Sequence, residues 1–329
     1  MAPLLEVQDL HVEFRVPNGA VHAVNGVSFS QDEEEILCIV GESGAGKSAL
    51  ALTLMGLLPD NGAIKSGKIL FDGVDLVSSP EERLRDLRGK AMSMVFQDAQ
   101  SALNPVQTIG NQLTEVIITH SQLNRRAAGR VCQEMLRELG VPDPRRIMGE
   151  YPFTLSGGQC QRVMLAMAMV MRPRLLIADE VTSSVDVTLQ AEILERLKEL
   201  SRDSKSAILL ITHDMGVVAN MARRVGVMYA GHLVEYADLL PIFQQPRHPY
   251  TWSLLQTLPR LDAAGRRLQA LRGTPPDLID MSEECPFLPR CPKALAQCRL
   301  EPTPSLREQS AGHYAACYNP VTYPDVDLD

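Results

Sequence analysis

The chain has 329 residues, which at ~150 residues per domain points to two domains. Hydrophobic residues make up 45% and charged residues 22%, a balance that excludes a disordered chain, a collagen and a coiled-coil rod. The net charge of −8 argues against a protein that coats nucleic acid, because phosphate neutralisation needs clustered Lys and Arg. No apolar run reaches the ~18–20 residues that cross a bilayer. The start, MAPLLEVQDL, lacks the basic-then-apolar order of a secretory signal. A cytosolic location is therefore expected, with any membrane role coming through a partner.

Strands are expected at 4–14 and 21–30, joined by a turn at PNG (17–19). EILCIV (35–40) suits a buried parallel strand and runs directly into GESGAGKS. SALALTLMGLL (48–58) has a helical pattern that stops at Pro59. From about 105 to 172 the chain reads as mostly helical, with an amphipathic stretch at 125–139 closed by Gly140. Then follow an apolar strand (174–179), a helix (187–202), a strand (207–212), a helix (214–223) and a strand pair at 224–237 that turns at AGH. Strands alternating with helices imply an α/β fold with a parallel sheet. Thirteen of the 22 prolines lie between Pro241 and Pro324, so a loop-rich second domain is expected to begin near 238.

GESGAGKS (41–48) fits G-x-x-x-x-G-K-[ST] in full. Its glycines let backbone N–H groups curl around a phosphate, Lys47 supplies a point charge for the β- and γ-phosphates, and Ser48 is a Mg²⁺ ligand. The helix that starts there turns its positive end to the anion. The nucleotide-binding candidates are Gly41, Glu42, Ser43, Gly44, Ala45, Gly46, Lys47, Ser48 and Ala49. RLLIADE (174–180) ends an apolar strand in Asp179, at the edge where open α/β sheets bind ligands. Asp179 is expected to hold Mg²⁺, and Glu180 to polarise the attacking water. LSGGQ (155–159) is a second Gly-rich turn opening a helix, hence a second anion site built from Ser156, Gly157, Gly158 and Gln159.

LSGGQ resembles the signature of ATP-binding-cassette (ABC) ATPases, and the remaining motifs follow in that family's order. VFQD (95–98) matches the Q-loop, in which the resemblance gives Gln97 contact with Mg²⁺ and water. SSVD (183–186) matches the D-loop, ending in Asp186, and ITHD (211–214) supplies the switch histidine His213. Phe14 is the candidate for stacking on adenine. The resemblance implies an ABC-type phosphate-loop NTPase with a mixed sheet core, a helical subdomain at about 97–172 and an antiparallel β subdomain. The cassette would occupy 1–238 and a C-terminal extension 239–329. Departures include Val181 where the family has Pro, Cys160 after the signature, Ala99 after the Q-loop, and DEEE (32–35) before the phosphate-loop strand. None removes a catalytic group.

VFQDAQSALNP (95–105), RLLIADEVTSSVDVTLQAEIL (174–194), VMYAGHLVE (227–235) and PRHPYTWSLLQTLP (246–259) are similar to the ATPase subunits of bacterial peptide importers, the oligopeptide/dipeptide/nickel group. The tail GTPPDL…CPFLPRCPKALAQC…HYAACY (273–318) is similar too. Membership implies ATP hydrolysis powering import of di- or oligopeptides, with nickel, a metal chelate or glutathione as alternative solutes. It implies a second ABC ATPase subunit in a heterodimer, two transmembrane permeases and an extracytoplasmic solute-binding protein. The subunit would sit peripherally on the cytoplasmic face of the membrane, with no nucleic acid. Leu103, Val106 and Ile109 suit a docking loop for the permease if they are exposed. A nucleic-acid-associated ABC ATPase is disfavoured by the short spacing from Lys47 to Ser156 and by the single cassette.

Cys285, Cys291, Cys298 and Cys317 have spacings C-x5-C-x6-C-x18-C, without the close pairs of zinc knuckles. Resemblance to peptide-importer ATPases implies a [4Fe–4S] cluster there, with Zn²⁺ or reduced structural thiols as the alternatives. ATP, Mg²⁺ and this cluster are thus the expected ligands.

Overall fold

The computed structural model describes residues 2–181, 186–258, 271–279 and 281–323. Ser183, Ser184 and Val185 of the expected D-loop lie outside the described residues. The strands in chain order are β1 (Leu5–Val16), β2 (Gly19–Gln31), β3 (Ile36–Val40), β4 (Gly62–Phe71), β5 (Val74–Asp75), β6 (Met92–Val95), β7 (Leu175–Asp179), β8 (Ala207–Thr212), β9 (Arg224–Tyr229), β10 (His232–Asp238), β11 (Arg307–Ser310) and β12 (His313–Ala315). The chain divides into two units. One combines Gln31–Ile36 with Ser78–Ile211; the other combines Pro3–Ser30, Leu37–Val77 and the chain from Thr212 onward.

The first unit is built on parallel pairing of β6 with β7 and of β7 with β8. β7 (LLIAD) and β8 (AILLIT) are buried at every residue, as expected of continuous apolar runs in a parallel sheet. Four helices carry the stretch expected to be helical, at Ile109–His120, Arg125–Glu138, Pro144–Gly149 and Gly157–Met169. All four start on side-chain caps: Thr108 accepts from the Asn111 N–H, Asn124 from Ala127, Asp143 from Arg146 and Ser156 from Gln159. Gly140, at φ 74, turns the chain out of the second of these helices.

The second unit holds two sheets. In the four-stranded sheet, ordered β2-β1-β4-β5, β1 runs antiparallel to β4 from Leu5↔Phe71 to Phe14↔Gly62. Leu5, Val7, Leu10 and Val12 form its inner face. The other sheet is mixed: β3 lies parallel to β9, and β9-β10-β12-β11 continue antiparallel. The β9–β10 turn has positive φ at both Ala230 (47) and Gly231 (80), as a tight two-residue hairpin turn requires.

The C-terminal residues of this unit are fastened to a buried carboxylate. Glu235 in β10 is fully buried. Its Oε1 accepts from the Arg247 N–H (2.6 Å) and lies 2.6 Å from His313 Nε2, while its Oε2 accepts from the His248 N–H at 2.9 Å. A carboxylate taken out of water is stable only when its lone pairs are used in this way. Among the described residues no helix is long and apolar enough to cross a membrane.

Candidate nucleotide site

In the second unit, β3 is apolar and inaccessible from Leu37 to Val40 and delivers the chain to Gly41. A Cβ at Gly41 would overlap the Met228 carbonyl, and one at Gly46 the Ala23 carbonyl; Gly46 also takes φ 96. These two glycines are therefore required by close backbone approach and, at Gly46, by conformation. Lys47 is 5% exposed, and its Nζ donates to the carbonyls of Gly41 and Glu42, both at 2.9 Å. The loop is thus wound around its own ammonium. The Gly231 N–H donates to the Ala45 carbonyl at 3.0 Å, bracing the loop from the β9–β10 turn. The helix Lys47–Leu54 begins here, with Ser48 exposed at its start and Ala49 behind it.

Glu42 has a role that the phosphate-loop pattern does not disclose. Its N–H donates to the Tyr250 hydroxyl at 3.0 Å. Its carboxylate receives two bonds from Arg290, Nη1 to Oε2 at 2.7 Å and Nη2 to Oε1 at 3.0 Å. Tyr250 is fully buried among Tyr229 and Phe287, and burial pushes its phenol well above the ordinary range. Sequence reading singles out the stretches that contain Tyr250 and Arg290 but gives neither residue a function. No local pattern reveals a partner more than 200 positions away.

In the first unit, β7 ends at Asp179, which is 4% exposed. Glu180 follows with φ 48, a left-handed conformation unusual for a side chain of this kind, held as its N–H donates to the Ile211 carbonyl at 2.9 Å. Gln97 stands two residues beyond β6. Pairing of β6 with β7, Val95 opposite Ala178, brings it to Glu180, where its Nε2 donates to Oε2 at 2.8 Å. Ser156 caps the helix Gly157–Met169 in a reciprocal box: its hydroxyl accepts from the Gln159 N–H (3.3 Å), and its own N–H donates to Gln159 Oε1 (2.9 Å). Gly157 and Gly158 form the open first turn, and Leu189 fills the space beside Gly158. Asp186 caps the helix Val187–Ser204, accepting from the N–H groups of Thr188 and Leu189.

His213 is exposed between β8 and the helix Met215–Met221. Phe14 lies in β1 with its ring over Gly62 of β4. The expected docking residues divide. Val106 is 80% exposed, whereas Leu103 (3%) and Ile109 (0%) are core. Gln112 explains the split: it accepts from the Asn104 N–H and donates to the carbonyls of Asn104 and Gln107, tying the loop down around its apolar ends.

The expected metal cluster is corrected. Cys285, Cys291, Cys298 and Cys317 border one small cavity together with His248, Phe287 and Ala316. Among the described residues, however, no group of three or more His, Cys, Asp or Glu side chains is disposed to hold a metal ion. Neither the [4Fe–4S] cluster nor the zinc alternative has a site here, and all seven cysteines are free thiols. As they stand these thiols are protonated: burial pushes Cys285 up to about 11 and Cys317 to about 12, and raises Cys291.

A family model described as ABC transporter matches residues 24–183, and one described as the C-terminal region of oligopeptide/dipeptide transporters matches 234–298. The dipeptide transport ATP-binding protein DppD of Bacillus subtilis is 45% identical, over 97% of this chain and 95% of its own length. The chain belongs to the ATP-binding subunits of ABC transporters. The oligopeptide transport ATP-binding protein OppD of Salmonella typhimurium is 46% identical, over 97% of this chain and 94% of its own. Among solved structures, cbiO1 from Clostridium perfringens, part of the ABC transporter complex cbiONQ, has a TM-score of 0.63 at 26% identity, covering 74% of this chain and 92% of its own. A dimeric bacterial ABC-transporter cassette, MJ0796, has a TM-score of 0.65 at 23% identity, covering 71% of this chain and 98% of its own, and shares the fold. The subunit is an ATPase with the ABC-type phosphate-loop fold, its mixed sheet and helical segments as described.

Proposed function

We propose that this subunit hydrolyses ATP to power the import of di- or oligopeptides through a membrane permease. One observation carries the reading: relatives named for dipeptide and oligopeptide transport match 97% of the chain at 45–46% identity. The match to the C-terminal region of such transporters, at 234–298, supports it independently of the cassette. In this reading residues 1–238 form the cassette and 239–329 the extension.

Lys47 and the loop N–H groups hold the β- and γ-phosphates, and Ser48, Gln97 and Asp179 are the residues that would hold Mg²⁺, whose charge offsets that of the transferring phosphoryl group. Glu180 takes the proton of the attacking water, with Gln97 orienting its carboxylate. The Gln97–Glu180 hydrogen bond supports that pairing. His213 steadies the water and the γ-phosphate, and Phe14 stacks on adenine. Ser156, Gly157, Gly158 and Gln159 close on the γ-phosphate held by a second ATPase subunit, with Asp186 beside that seam. A chain with one phosphate loop and one signature needs a second cassette to complete either site, and we take the pair to be a heterodimer. Two permeases and a solute-binding protein complete the transporter, with this subunit on the cytoplasmic face of the membrane. Val106, together with the exposed and stacked rings of Tyr151 and Phe153, offers the permease an apolar contact.

The test is ATP turnover of the purified chain, alone and with its partner ATPase, in wild type and Glu180→Gln. Loss of a general base should lower turnover by ~10²–10⁴ while ATP still binds. Near-wild-type turnover would place the base elsewhere.

A further inference from the structure

Glu42 puts a carboxylate inside the loop read above as the nucleotide's phosphate cradle, where an unbalanced negative charge would oppose a triphosphate. The structure places a cation on it. Arg290 meets the carboxylate with both Nη atoms, at 2.7 and 3.0 Å, a two-pronged geometry that a lysine cannot reproduce. The guanidinium is itself fixed. Its Nε donates to the Arg272 carbonyl at 2.9 Å and its Nη1 to the Tyr229 hydroxyl at 3.2 Å, and its side chain is only 5% exposed. The other two groups of Glu42 are also engaged, the N–H by Tyr250 and the carbonyl by Lys47. Thus Lys47 and Arg290 grip one residue from opposite ends of the chain's sequence. We propose that Arg290 is a positioning residue for nucleotide binding: through Glu42 it fixes the first turn of the phosphate loop and cancels the carboxylate's repulsion of the incoming phosphates. The contact lies wholly within the second unit and rests on the reading of 41–48 as the ATP loop.

The mechanism makes a distinctive demand. Removing Arg290 should hurt binding because it leaves Glu42 charged and unpaired, so removing that charge as well should repair it. We would measure the Kd for MgATP by calorimetry and the kcat and KM of the assembled transporter. The variants are Arg290→Met, Arg290→Lys, and Arg290→Met combined with Glu42→Gln, with thermal melting to confirm folding. Arg290→Met should raise Kd and KM about tenfold, equal to about 1.4 kcal/mol, with kcat within about twofold of wild type. The double variant should recover most of the lost affinity, and Arg290→Lys should fall between wild type and Arg290→Met. Wild-type affinity in a folded Arg290→Met would overturn the proposal, as would a loss that Glu42→Gln does not repair, since that pattern belongs to packing alone. If Arg290→Met does not fold, Arg290→Lys decides: weakened ATP binding supports the proposal and unchanged binding overturns it. Lys47→Ala in the otherwise wild-type chain separates the two readings. If wild type shows no Lys47-dependent ATP binding, the nucleotide loop itself is misassigned. If that binding is present and Arg290→Met is without effect, only the role of Arg290 fails.

Discussion

Gln97 Nε2 donates to Glu180 Oε2 at 2.8 Å, joining the second residue after β6 to the first residue after β7. Glu180 sits at φ 48 with its N–H bound to Ile211, so its backbone is fixed and Gln97 sets where its carboxylate points. Gln97→Ala should therefore lower kcat about tenfold or more with little change in KM for ATP, since the loss falls on the chemical step. Steady-state phosphate release at saturating and limiting ATP checks this. A rise in KM with kcat intact would assign Gln97 to nucleotide binding instead.

Gly46→Ala is expected to abolish nucleotide binding. The added methyl would meet the Ala23 carbonyl, and φ 96 is a conformation that alanine resists, so the loop must leave its present path. Binding of a fluorescent ATP analogue reads the loss; retained affinity would show that the loop adapts.

Acid should destabilise the fold partly through His248. Burial holds its imidazole near about 3, well below the ordinary 6.5, and its Nδ1 accepts the Tyr250 N–H at 3.0 Å in the neutral form. Between those values the unfolded chain binds the extra proton. The stability this group contributes is therefore complete above 6.5 and is lost as pH falls toward 3, at up to about 1.4 kcal/mol per pH unit. Urea melts at pH 7 and pH 5 should show the loss, and His248→Asn, which keeps a cap acceptor, should flatten the slope. An equal slope in the variant would assign the acid sensitivity to other groups.

Val106 and Leu103 should respond in opposite ways. Val106→Glu changes a residue 80% exposed and should reduce peptide uptake while basal ATP hydrolysis and melting temperature stay close to wild type. Leu103→Ala empties a core position 3% exposed and should cost about 2–5 kcal/mol of stability. Transport assays beside thermal melts distinguish them, and full coupling in Val106→Glu would move the permease contact elsewhere.

β3, β7 and β8 are legible because their burial is written as unbroken apolar runs: AILLIT is β8 without a residue's error, and the helices from 109 to 169 carry their own caps, whereas the short parallel strand β6 (MSMV) carries no such run and is not expected from the sequence. The phosphate loop was legible because its chemistry needs consecutive residues. Gln97 and Glu180 could be named singly, but their hydrogen bond comes from the register of β6 on β7. β4 and β5 escaped notice because GAIKSGKILF lacks clean alternation, its middle residues facing solvent in an edge region of the sheet. The partnership of Glu42 with Arg290 and Tyr250, and the anchoring of His313 on Glu235, depend on tertiary pairing alone. The four tail cysteines invited a metal reading from composition and resemblance. They come to border one cavity, but among the described residues they make no metal-holding group, a matter of tertiary placement that spacing does not carry.

In the proposed function, ATP hydrolysis at this subunit drives peptide import. The most direct measurement is uptake of a radiolabelled peptide into proteoliposomes carrying the complete transporter, with ATP on the side of the ATPase subunits, comparing wild type with Lys47→Ala. Wild type should show ATP-dependent accumulation, and the variant uptake at the ATP-free background. Equal peptide accumulation in the two, or ATP-driven uptake that excludes peptides, would contradict that function.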